Sequence, residues 1–318
     1  MPLTFDLHSV RFQFAARESI YFPAGKPGNI LRGAFGSIFR QIACAPECPG
    51  MAGGNIRQCE RRASCAYARI FEPASTGSGP SGLADWPRPF VFRAGHLDGR
   101  TIQPGEQFWF DVNLFETEHP PVDDFARAFS VLAEQGLGPR RGRADFVSAT
   151  ATPVSIFLDH APAGVPWLRV RFQTPTELKS GDELVARPEF GVLFARIRDR
   201  LSTLRALYGT GALPIDFRAI GERAATVRMT RCDLRHVDTE RRSSRTGQVH
   251  SIGGFAGVAE YEGELGEFVP YLEAARWTGV GRQCVWGKGE LWLEKCQDEN
   301  EFHPTSHHPP PTTSIMFA

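Results

Sequence analysis

GLGPRRGRADF at 136–146 and GVGRQCVWGKGEL at 279–291 decide the reading of this chain. Each follows an amphipathic helical pattern and leads into a strand-like alternation. Glycine lets backbone N–H groups come close to a ligand and admits positive φ. Arginine and lysine among the glycines add charge, so a loop of this composition suits phosphate. One such loop alone reads as a tight helix-to-strand turn with solvated arginines. Two at equivalent places in two halves read as a duplicated module with a binding loop.

The patterns around each loop agree with duplication. Before the first loop, residues 3–14 alternate Phe5 and Leu7 up to a phase slip near Ser9. Residues 29–43 place Ile30, Leu31, Phe35, Ile38, Phe39 and Ile42 at helical spacing, with Asn29 as the expected N-cap. Strands are expected at 88–93 and 107–115, a helix at 121–135, and a strand near 144–156. The second half repeats the order: a strand at 166–173, a helix at 188–208, strands near 225–237 and 252–263, a helix at 264–275, and a strand through Leu291 and Leu293. Two β-α-β-β-α-β units predict an α+β chain of tandem ferredoxin-like domains at 1–157 and 158–296. Residues 74–82 (ASTGSGPSG) predict a flexible loop, and 297–318 a disordered tail.

Composition narrows the function class. The 318 residues carry 36 basic and 36 acidic side chains, so no global basic field draws nucleic acid in. The charge is segregated instead: six arginines fall in 228–250 against three acids, and the acids gather at Glu260, Glu262, Glu264, Glu267 and Glu273. No basic, apolar leader opens the chain and no apolar run could span a membrane, which predicts a soluble, cytoplasmic protein without membrane partners.

Four of the seven cysteines, Cys44, Cys48, Cys59 and Cys65, sit in a loop-rich insertion at 44–73. Four thiolates close a tetrahedral structural zinc shell. An iron–sulfur cluster takes the same ligands, and reduced, metal-free cysteines are a third reading. Cys232, Cys284 and Cys296 are scattered and read as packing residues.

The segments LRGAFGSIFRQIAC…CAYARIFEP at 31–73 and RRSSRTGQVHSIGGFAGVAEYEGEL at 241–265, with the second Gly-rich loop, resemble the CRISPR precursor-RNA processing endoribonucleases of the RAMP superfamily, in a variant with a cysteine-rich insertion. The resemblance covers about residues 1–295. It implies binding of CRISPR repeat RNA, with other CRISPR effector subunits as further partners. It also implies cleavage without a catalytic metal, the 2′-OH attacking the adjacent phosphate to leave a 2′,3′-cyclic phosphate.

That chemistry needs a proton acceptor, a proton donor and cations at the phosphate. Many relatives place a histidine on or before the first helix. This chain has none in 15–43, where Tyr21, Arg32, Ser37 and Arg40 stand instead, and His8 lies within the first strand. His250, near Arg241, Arg242 and Arg245, is the leading acid/base candidate, with His236 second and Arg245 as a supporting cation; a surface hairpin residue is the alternative reading of His250. RNA contacts are expected from Arg140, Arg141, Arg143, Arg241, Arg242, Arg245, Gly279, Gly281, Arg282, Gly287, Lys288 and Gly289. Two further readings stay open: a non-catalytic RAMP subunit that binds and caps guide RNA, and a zinc-stabilised interaction protein with no RNA role.

Overall fold

The computed structural model describes residues 2–43, 64–73, 86–242 and 249–295, and of residues 241, 242, 249, 250 and 295 the backbone alone. The expected loop at 74–82 and the tail from 297 lie outside the described residues. The chain divides into two compact units. The first is Leu7–Pro153 with Ala206–Gly211; the second is Val154–Arg205 and the chain from Ala212, with the residues up to Asp6.

The first half runs β1 (Thr4–Ala16), β2 (Ile20–Tyr21), α1 (Pro27–Ala43), β3 (Phe90–Arg93), β4 (Thr101–Ile102), β5 (Gln107–Leu114), α2 (Val122–Gln135) and β6 (Ala144–Phe157). Its four-stranded sheet has the order β3-β5-β1-β6. The phase slip in β1 is real: Phe5 and Leu7 are buried, then Val10, Phe12 and Phe14. Helix α1 starts at Pro27, so Asn29 lies inside the helix and does not cap it. The fixed φ of proline suits the first turn and starts the helix earlier than the apolar spacing indicates. Its apolar face and that of α2 close the core with packed rings: Phe35 stacks on Phe125 at 4.3 Å, and Phe12 lies tilted against Phe129 at 4.6 Å.

After residues 44–63 the chain returns in a π-helical turn, Tyr67–Phe71. This turn packs on α1. A Cβ on Gly36 would lie 2.1 Å from Cζ of Phe71, so only glycine admits the ring there. The Tyr67 ring lies 6.1 Å from Phe39.

The second half runs β7 (Trp167–Thr176), β8 (Leu178–Ser180), β9 (Glu183–Val185), α3 (Phe190–Tyr208), α4 (Phe217–Ala224), β10 (Arg228–Val237), β11 (Glu240–Arg242), β12 (Val249–Ser251), β13 (Gly254–Glu262), α5 (Val269–Thr278) and β14 (Leu291–Lys295). Its sheet has the order β10-β13-β7-β14, all antiparallel. Helix α5 begins at Val269, after a 3-10 turn over Gly266–Phe268, later than the expected start at 264. Pro270 near its start fits only the first helical turn.

With the two-stranded sheets and the short helix α4 set aside, both halves read β-α-β-β-α-β. Both sheets also place their four strands in the order second, third, first, fourth. The chain is a tandem ferredoxin-like protein.

Candidate nucleic-acid interface

The first Gly-rich loop is a closed hairpin. Gly136 ends α2 at φ 101°. Leu137 and Gly142 exchange both backbone hydrogen bonds, at 2.8 and 3.0 Å, and Arg141 N donates to Gly138 O at 3.1 Å. The glycines serve close backbone packing: a Cβ on Gly138 would lie 2.7 Å from Tyr21 O, and one on Gly142 2.4 Å from Ser19 O. Arg143 is paired with Glu18 at 2.6 Å, and this contact holds the Glu18 carboxyl below the usual carboxylate range. Arg140 and Arg141 are exposed and make no ion pair among the described residues. They are the cations this loop offers an anion.

The second loop is built alike and is longer. Val280 N donates to Gly289 O at 2.9 Å, Gly289 N to Pro175 O at 3.1 Å, and Arg282 N to Glu177 O at 2.9 Å. A Cβ on Gly281 would lie 2.3 Å from Glu177 O, and one on Gly289 2.0 Å from Val280 O. Gly279 and Gly287 stand at φ 70° and 78°. In each half the loop rests on the segment that follows the first strand of its sheet: Ile20–Tyr21 in one, Glu177–Leu178 in the other. Arg282 is paired with Glu177 at 2.5 Å, and Lys288 is buried at 3% exposure. Much of the loop's backbone hydrogen bonding is thus spent internally, which fixes its shape before any ligand arrives.

The hairpin β11–β12 rises at the same end of the second sheet. Its register sets Arg241 opposite His250 and Arg242 opposite Val249. The side chains of Arg241, Arg242 and His250, and all of Arg245, lie outside what is described. The base of this hairpin meets the second loop: Gln283 Nε2 donates to Ser251 O at 3.1 Å. The structure therefore brings the backbone of His250 and the loop 279–289 to one place. His236 sits on the edge strand β10, exposed, with Nε2 3.0 Å from Asp238 Oδ1.

The remaining candidates are dispersed. Arg32 is buried at 8% exposure, its guanidinium 4.5 Å from the Phe71 ring centre. Cys65 is a half-buried free thiol, while Cys44, Cys48 and Cys59 lie outside the described residues. Cys284 is buried and its Sγ donates to Gly281 O at 3.3 Å, a packing role inside the loop. Sequence reasoning missed Gln283, and the acids Glu18 and Glu177 that neutralise loop arginines. Those partners lie 125 and 105 residues away in the chain, so no local pattern announces them.

Comparison with known proteins agrees with this geometry. Residues 4–160 match the family model described as the AF_1859 N-terminal domain, and residues 170–291 match that of the CRISPR-associated endoribonuclease Cas6. Among curated proteins none matches the chain. A Cas6 product complex is similar in fold, with a TM-score of 0.56 at 17% identity over 91% of this chain and 100% of that one. Thermus thermophilus Cas6 gives 0.51 at 16% identity, over 92% and 100%. A partial Cas6-RT-Cas1–Cas2 complex gives 0.54 at 12% identity, over 96% of this chain and 48% of that one. Residues 170–291 are thus similar to the CRISPR-associated endoribonuclease Cas6 family, and the chain shares the fold of solved Cas6 structures.

Proposed function

We propose that this protein binds CRISPR repeat RNA and cleaves it in the cytoplasm by metal-independent attack of a ribose 2′-OH. The O2′–H proton passes to a base, O2′ bonds to phosphorus, and the P–O5′ bond breaks. The leaving O5′ takes a proton, leaving a 2′,3′-cyclic phosphate and a 5′-OH. His250 is the acid or base, and Arg241, Arg242 and Arg245 stabilise charge on the phosphorane. Arg140 and Arg141 of the first loop hold backbone phosphate. A zinc ion on the four clustered cysteines is structural, and other CRISPR subunits are further partners.

One observation carries this reading. The second Gly-rich loop and the strand bearing His250 are joined at one end of one sheet, within the stretch that matches the Cas6 family. The test is labelled repeat RNA incubated with pure protein in EDTA. Cleavage to a cyclic phosphate is expected. His250→Ala should slow it by about two to four orders of magnitude with little change in affinity. A His250→Ala enzyme at the wild-type rate removes that residue from the chemistry. Tight binding by the wild type with the RNA left intact makes the protein a non-catalytic binding subunit.

A further inference from the structure

Among the described residues only two besides glycine hold a left-handed φ: Arg141 at 53° and Gln283 at 66°. One stands in each Gly-rich loop. An L-residue disfavours this conformation, and such strain gathers at functional sites. In a loop already rich in glycine, a glutamine kept in this conformation needs a reason in its side chain.

The side chain of Gln283 is half used. Its Nε2 donates to Ser251 O, the carbonyl of the residue after His250. That carbonyl can only accept, which fixes the orientation of the amide. Oε1 then points the other way. It is buried and has no hydrogen-bond partner among the described residues. Buried acceptors in folded proteins are nearly always satisfied, so an orphan at this position marks a missing donor.

We infer that Gln283 is an RNA-contacting and positioning residue: Oε1 accepts a hydrogen bond from the RNA while Nε2 holds the strand that carries His250. The inference rests on the RNA-processing reading and deepens it. RNA offers two kinds of donor, the ribose 2′-OH and the N–H groups of the bases. Either would tie occupancy of the Gly-rich loop to the place of the β11–β12 hairpin. Gln283 is thus a link between binding and chemistry.

The test uses the full chain and repeat RNA. Gln283→Gly removes the amide and relieves the left-handed backbone, so the variant should melt no lower than the wild type. Affinity is measured on RNAs with single 2′-deoxy substitutions, and on RNAs with single bases lacking an amino group, such as inosine for guanosine. On unmodified RNA the variant should bind about three- to tenfold more weakly, as expected for one lost hydrogen bond. One modification should weaken the wild type by the same factor and leave the variant unaffected. Coupling to a 2′-deoxy site identifies the ribose donor, and coupling to a base analogue identifies the base. A variant that binds and cleaves like the wild type overturns the inference. So does a weakened variant that couples to no modification, because the amide then acts on the hairpin alone. If the wild type itself binds no repeat RNA, the RNA-processing reading falls and takes this contact with it, an outcome distinct from the other two.

Discussion

Gly289 and Gly99 have nearly the same backbone, φ 68° and 69°, in different surroundings. A Cβ on Gly99 would meet nothing within 4 Å; one on Gly289 would lie 2.0 Å from Val280 O and 3.0 Å from Val280 C. Replacing either by alanine incurs the left-handed cost of about 1–2 kcal/mol. Gly99→Ala should lose that and nothing more. In Gly289→Ala the backbone must also move away from Val280. That movement strains the bonds Val280 N to Gly289 O (2.9 Å) and Gly289 N to Pro175 O (3.1 Å). At roughly 0.5–1.5 kcal/mol net for each, the total reaches about 3–4 kcal/mol. The difference of about 2 kcal/mol between the variants isolates the close approach from the dihedral. Urea titration of both variants followed by circular dichroism measures it. RNA affinity should fall for Gly289→Ala and hold for Gly99→Ala. Equal losses of stability would refute the argument that backbone proximity, and not φ alone, requires glycine in this loop.

Other outcomes follow from the same structure. RNA affinity should fall with salt at about −0.7 in log–log slope per single-stranded phosphate contacted; replacing Arg241, Arg242 and Arg245 with alanine should flatten that slope, and an unchanged slope removes the hairpin from the interface. Protein purified without added zinc should carry about one equivalent by metal analysis, and Cys59→Ser should lower its melting temperature; metal-free protein with unchanged melting ends the zinc assignment. Partial desolvation against Trp109, whose ring it stacks on at 5.0 Å, holds the imidazole of the otherwise exposed His96 below its ordinary 6.5. The unfolded chain therefore takes up this proton first, so the contribution of His96 is complete above pH 6.5 and is lost as pH falls below it. His96→Gln should flatten the melting-temperature profile on that acid limb, and an unaltered profile refutes the assignment.

Much of the fold was legible because the core is periodic. Phe12 and Phe14 alternate in β1, and Leu31, Phe35 and Phe39 recur at helical spacing in α1, since each must face the same sheet. What escaped is local or long-range. Helix α4 is only eight residues long, too short for its apolar spacing to stand out; Asp216, whose carboxylate accepts from Arg218 N and Ala219 N, was the clearest signal for it. Of the site, the two loops were visible as Gly-Arg composition. The carbonyls their glycines abut, Tyr21 O and Glu177 O, come from distant segments that no window along the chain contains. Lys288 reads as a loop cation, yet lies buried, because the loop folds back on Val280.

The cysteine-bearing insertion leaves from α1 and comes back to α1, where Phe71 fills the notch at Gly36 and Tyr67 meets Phe39. An excursion that returns to its point of departure asks nothing of the sheet. Its length is nearly free to the fold, because doubling a loop adds only about 0.6 kcal/mol of closure entropy. Residues 44–63 can therefore be gained, lost or exchanged as one cassette, provided the Tyr67–Phe71 turn keeps its seat. A chain shortened there would keep its sheet order.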